Sequence, residues 1–142
     1  EKNKALFSKH GVFLPEEVEA RSGVMFENYA TLIKIEATTM IEMVNTGLIP
    51  ACARDLKTYE GSKLGQKREE LYLALQTACE DLEATSAGLP HDADEAAEAH
   101  YCADKIVPAM TACRKAADAA EGLIERSLYP FPTYADIIYG HH

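Results

Sequence analysis

Tryptophan is absent from this sequence, and four phenylalanines and seven tyrosines are all the aromatic residues it has. A β-sandwich core draws on aromatic and β-branched side chains, so their scarcity speaks against one. Alanine supplies much of the apolar 47%, which favours helices packed closely through small side chains. Basic residues are also outnumbered: Lys and Arg total 14 against 23 Asp and Glu, a formal charge of −9. Nucleic acid and anionic membranes both need a basic surface, so neither is expected as a partner. No apolar run is long enough to span a membrane, and no signal peptide is seen. Cys52, Cys79, Cys102 and Cys113 form no CxxC pair. Their helical, apolar neighbours mark them as buried free thiols in a reducing cytoplasm.

Signatures of catalysis are missing too. There is no GxxxxGK[ST] or GxGxxG loop to cradle phosphate, and no GxSxG around a nucleophile. His100 lies near Glu98 and Asp104, but neither HExxH nor a pair of di-iron ExxH motifs accompanies it. A phosphorelay histidine would be followed closely by lysine and glycine, which "AHYCADKIV" does not supply in that arrangement. His100 therefore reads as a surface or packing residue. Cys102 and Cys113 share a helix face but are separated by about 16 Å of rise, too far to bond or share a metal. From Glu80 to Asp104 eight carboxylates occur without a Lys or Arg, and they read as a solvated helix–loop–helix edge. No catalytic, cofactor-binding or metal-binding residue is assigned.

Periodicity predicts an all-α fold in one domain, 1–140, with His141 and His142 set aside as a tag stub. A short helix over 1–10 closes at Gly11, where a left-handed residue can stop it. A long first helix over 15–59 opens on Pro15, with Glu16, Glu17 and Glu19 complementing its positive end. Its apolar stripe is Phe26, Tyr29, Ile33, Ala37, Met40, Val44, Leu48 and Ala51. A second row, Met25, Leu32, Ile35 and Met43, predicts packing on two sides. "NTGLIPA" predicts a kink near Pro50. The second helix covers 62–87, and Asp92 or Asp94 can cap the third, 92–127. In that third helix Ala99, Ala103, Ile106, Met110, Cys113, Ala117, Ala120 and Ile124 form a heptad seam, with Pro108 bending the helix from outside it. Short turns between three long helices imply an elongated antiparallel up-down-up bundle with short terminal helices.

The tail over 129–139, "YPFPTYADIIY", is apolar and stiff. Pro130 and Pro132 are expected to stop the third helix, and Thr133 with Asp136 forms a capping-box pattern for a last helical turn. The PxP spacing of the prolines disfavours an SH3-type PxxP ligand. Tyr129, Phe131, Tyr134, Ile137, Ile138 and Tyr139 form the candidate docking set. Burying them releases on the order of 5–10 kcal/mol gross at about 25 cal/mol per Å². They can fold back on the bundle or dock on another surface.

Three stretches carry a family resemblance. "IKIEATTMIEMVNTGLIPA", residues 33–51, resembles the "IEA.TM..M" helix and "ILPA"-like element near the end of the type III glutamine synthetases. "KALFSKHGVFLPEEVEAR", residues 4–21, is similar to that region's "LF..HGVF...E...R" opening. The closing tail is similar to "WPFP.Y..LLF", with Tyr129 where Trp is usual. The middle, about Thr58 to Asp94, matches little beyond its helical pattern. The resemblance implies a non-catalytic C-terminal helical region of a parent enzyme. That enzyme would ligate ammonia to glutamate with ATP and a divalent metal, magnesium, using residues elsewhere. It also implies large rings, so the expected partners are the enzyme's own catalytic domain and neighbouring subunits of a homo-oligomer. An autonomous bundle that binds a small ligand or regulatory protein is the alternative, and an enzyme in its own right a third.

Overall fold

A computed structural model describes residues 2–90, 94–132 and 134–140 (at Tyr134, the backbone alone). The first helix, α1 (Lys2–Lys9), closes at Gly11, whose φ of 63° lets the Val12 N–H reach back to the Phe7 carbonyl at 3.0 Å. Helix α2 (Pro15–Met43) opens with Pro15 at its first position, and the Leu14 N–H donates to the Glu17 carboxylate at 2.7 Å. It continues through a π-turn, Val44–Leu48, into α3 (Ile49–Thr58). After a turn at Gly61, Ser62 caps α4 (Lys63–Ala87) by accepting from the Gly65 N–H at 3.2 Å. Asp94 caps α5 (Glu95–Tyr101) by accepting from the Ala97 N–H at 2.7 Å; Asp92, the other candidate cap, lies outside the described residues. A second π-turn, Cys102–Ile106, joins α5 to α6 (Val107–Glu121), and α7 (Tyr134–Tyr139) follows the tail. The described residues contain no strand: the fold is all-α.

Proline accounts for both π-turns. It has no N–H, and its ring crowds the carbonyl four residues back. The chain answers by widening one turn just before the ring, with Ile49 N–H bonding Val44 O and Val107 N–H bonding Cys102 O. Pro50 and Pro108 each stand two residues beyond the end of such a turn. Backbone angles stay helical at the caps, so neither rod breaks. In the third rod Cys102 is buried and Ala103 is exposed, so between Ala99 and Ile106, both buried as expected, the seam passes through Cys102 instead of Ala103.

Contacts between the rods set their directions. Asn45 reaches Glu83, and Asp55 reaches Tyr72 and Arg68, so α2–α3 and α4 are antiparallel. The Tyr101 hydroxyl reaches the Thr85 carbonyl while Arg68 reaches the Leu123 carbonyl, so α4 and α6 are antiparallel too. Lys34 pairs with Glu98 at 3.1 Å and Asp55 accepts from the Glu125 N–H, which makes the first and third rods parallel. The core between them combines Ala30, Ala37, Val44, Leu48, Leu75, Leu82, Ile106 and Ala120 with all four cysteines.

One expectation needs correction. Helix α6 ends at Glu121, not 127, and the tail prolines do not stop it. Gly122 caps it, Leu123 and Ile124 N–H both turn back to the Ala120 carbonyl, and the Glu125 N–H is drawn to Asp55 at 2.9 Å. The second apolar row of the first helix stands open to solvent among the described residues. Met25 is 72% exposed, Leu32 59% and Ile35 57%.

Candidate docking face and tail

Two neighbouring features could do work beyond holding the bundle together: the tail, and the open side of α2. The tail begins where the Asp55 network ends. Asp55 is 1% exposed and accepts from Tyr72 Oη at 2.6 Å, Arg68 Nη1 at 2.9 Å and Glu125 N at 2.9 Å. A buried carboxylate is tolerable only when paired and hydrogen-bonded, and here three donors from two elements satisfy it. Arg68 also donates to the Leu123 carbonyl, and its guanidinium lies 4.1 Å from the Tyr59 ring centroid. One charge cluster thus joins the first rod, α4 and the end of the third rod. The sequence reading missed it. Its signal was a charged residue continuing the buried row Leu48, Ala51 by a step of four, with Arg and Tyr spaced i, i+4 on another helix.

From there the chain folds back. Leu128, Tyr129 and Phe131 are half-buried against the core. The Tyr129 hydroxyl donates to Glu121 at 3.0 Å, and burial first, then this bond, pushes the phenol up to about 12. Tyr129 and Phe131 meet edge to face at 6.1 Å. Phe131 rests on Gly47, inside the first π-turn: a Cβ there would stand 2.7 Å from Phe131 Cζ and 3.3 Å from Pro130 Cγ. The bare backbone of "NTGLIP" is the notch that receives the ring.

The rest of the candidate docking set is placed differently. Ile137, Ile138 and Tyr139 on α7 are exposed at 67%, 68% and 75%. An Arg126–Asp136 ion pair fastens α7 at the surface. The side chain of Tyr134, and Thr133 with its capping box, lie outside the described residues. Between α2 and α6 a cleft of about 640 Å³ opens beside the tail. Met40, Met43, Val44, Met110, Tyr129 and Phe131 line it, and Ile35 and Ile137 flank its mouth. Glu36, Arg114, Asp118 and Glu121 are also on its walls.

His100 is exposed, its ring 6.2 Å from that of Phe26. Among the described residues no three His, Cys, Asp or Glu side chains converge where a metal ion could be held. No described helix is long and apolar enough to cross a membrane.

Residues 1–63 match the glutamine synthetase C-terminal domain family. Over nearly its whole length, 98%, the chain is similar to the type-3 glutamine synthetase of Dictyostelium discoideum, at 28% identity. A glutamine synthetase of Butyrivibrio fibrisolvens is also 28% identical, over 94% of the chain. The chain is thus similar to the C-terminal region of the glutamine synthetases. It spans about a fifth of each curated relative, 22% of their lengths. No solved structure matches it. The part matched by the family comprises α1, α2, the first π-turn and α3. It contains both Gly47 and the exposed apolar row of α2.

Proposed function

We propose that this region is a non-catalytic packing element of a glutamine synthetase, joining the catalytic part of the enzyme and neighbouring subunits into a homo-oligomer. The parent enzyme, on this reading, is cytoplasmic and condenses ammonia with glutamate using ATP and a divalent metal such as magnesium. On this reading those cofactors are held by residues elsewhere in the enzyme. The observation that carries the packing role is the exposed apolar row Met25, Leu32, Ile35 and Met43 on a chain of charge −9. Large contiguous apolar surface is costly to leave in water and marks interaction sites. The exposed Ile137, Ile138 and Tyr139 extend that argument to the tail.

The test is deletion of this region from the full-length enzyme, followed by light scattering and activity assay. Loss of the native oligomer is expected; a truncated enzyme that assembles and turns over normally would sink the proposal. The cleft of about 640 Å³ favours a second reading, a bundle that binds a small ligand or regulatory protein. Calorimetry of the chain against glutamine, nucleotides and divalent metals separates the two, because tight binding would favour the second.

A further inference from the structure

Helix α2 carries two heptad seams. Phe26, Ala30, Ile33, Ala37, Met40 and Val44, in steps of four and three, face the chain's own bundle and are buried or half-buried. One residue back, in the same steps, Met25, Tyr29, Leu32, Glu36, Thr39 and Met43 are all exposed. A one-residue offset is about 100° around an α-helix, so the second seam is a separate face. It is also poor in charge: Glu36 is its one charged residue, and the flanking Val24, Asn28, Thr31 and Ile35 are uncharged, in a chain where 26% of residues are charged. Seam spacing of this kind is made for another helix lying nearly along it.

We propose that the open seam of α2 packs antiparallel against the same seam of a second copy of this chain. The proposal deepens the packing role above by naming its surface and partner, and it rests on that reading only for its biological setting. Three features favour a second copy. An isologous pair needs a surface complementary to itself, and a two-fold axis near Lys34 lays this seam on its own image. Met25 then meets Met43, Tyr29 meets Thr39, and Leu32 packs beside Glu36. Charge decides the direction. A parallel pair would set Glu16, Glu17 and Glu19 of both copies side by side. The antiparallel pair carries each acidic first turn toward the other copy's α3, where Arg54 and Lys57 are exposed. The helix dipoles oppose as well. Finally, two chains of charge −9 repel across most approaches, and this face, with one charge per copy, is where they can meet. Glu36, the one charge in the seam, weakens the contact while holding its register, as a polar seam residue does. A single helix face falls at the small end of specific interfaces, below about 1,200 Å² in total, so pairing in the micromolar range is expected.

Sedimentation velocity of the 142-residue chain, from low to high micromolar concentration, should show a monomer–dimer equilibrium. Leu32→Asp should weaken it by about 100-fold or more by burying an unpaired charge, with helicity by circular dichroism unchanged because the site is exposed. Glu36→Leu should tighten it. Benzoylphenylalanine placed at position 25 should cross-link to the segment around Met43 of the other copy. A chain that stays monomeric, or a dimer indifferent to Leu32→Asp, overturns the pairing. Cross-linking of position 25 to position 25 overturns the antiparallel arrangement. If hydroxyl-radical footprinting shows the seam covered only in the full-length enzyme while the chain is monomeric, the face belongs to the rest of the polypeptide and the proposal fails. The packing role is judged separately, by the deletion.

Discussion

Phe131 sits on Gly47, and the bare backbone of that glycine makes the contact possible. Helix propensity alone says that alanine at position 47 should stabilise the rod by about 0.8–1.0 kcal/mol. The contact says the opposite, because the new methyl would stand 2.7 Å from the ring where carbon atoms prefer about 3.5–4.0 Å. Gly47→Ala is therefore expected to destabilise the chain by about 1–2 kcal/mol, the ring being forced off its seat. In a Phe131→Ala background the same substitution should turn neutral or stabilising. Urea unfolding of the four proteins gives the coupling directly. A stabilised Gly47→Ala single variant would mean that the tail is not docked there.

The buried Asp55 leads to a second expectation. Asp55→Ala leaves Arg68 without its carboxylate and strips the Tyr72 hydroxyl and the Glu125 N–H of an acceptor. Breaking a buried pair from one side costs about 3–5 kcal/mol. Tyr72→Phe, which removes a single bond, should cost about 1–2 kcal/mol. Asp55→Ala should also loosen the tail, since the turn after α6 loses the acceptor that holds the Glu125 N–H. Denaturation midpoints test the ranking, and hydrogen exchange at Glu125 tests the link to the tail. Equal costs for the two substitutions would show that Asp55 does not organise the cluster.

The all-α class was legible because it rests on spacing and on alanine, both local. What was not legible depended on partners far along the chain. The end of α6 is governed by Asp55, 70 residues from the Glu125 N–H it accepts, so tail prolines close at hand took a role they do not have. The π-turns were hidden for another reason. Alternating steps of four and three place Ala103 in the seam, whereas the structure buries Cys102, three residues after Ala99 and four before Ile106. Proline signalled a disturbance at both sites without saying that it would be absorbed as a wider turn. The second row of α2 was visible as apolar, but nothing in its spacing says what covers it. In the tail, aromatic composition suggested a docking unit; the structure divides it into Tyr129 and Phe131 against the bundle and an exposed pair of isoleucines with Tyr139.

All four cysteines are free and buried, which sets the rate at which reagents can reach them. Modification must wait for the helices to part, so it reports opening rather than thiol chemistry. With Ellman's reagent at neutral pH the native chain is expected to react slowly and to release four equivalents at once in denaturant. Gly47→Ala and Asp55→Ala should both speed the native reaction, in proportion to their cost in stability. Rapid native labelling of even one thiol would contradict the packing around it.

Alkaline pH should dissolve the fold in a definite window. Burial, with the nearby Asp55 carboxylate second, raises Cys52 from 9.0 to about 11. Burial, with the neighbouring Cys113 thiol second, raises Cys79 likewise to about 11. Tyr129 moves from 10.0 to about 12. In each case the fold favours the neutral, protonated form. The stability linked to that form is complete below the unfolded-state value and is lost as pH rises through the folded-state value. The chain should therefore be insensitive to these groups below about pH 9. It should weaken from there toward pH 12, first through the thiols and then through the phenol. Tyr129→Phe removes its own contribution and leaves that of Tyr72, whose phenol burial also raises, so its stability should fall less steeply between about pH 10 and 12, although its midpoint at neutral pH is lower for want of the bond to Glu121. Urea titrations monitored by circular dichroism across that range decide it. A slope between pH 10 and 12 that Tyr129→Phe leaves unchanged would place the phenol in solvent and detach the tail from the bundle.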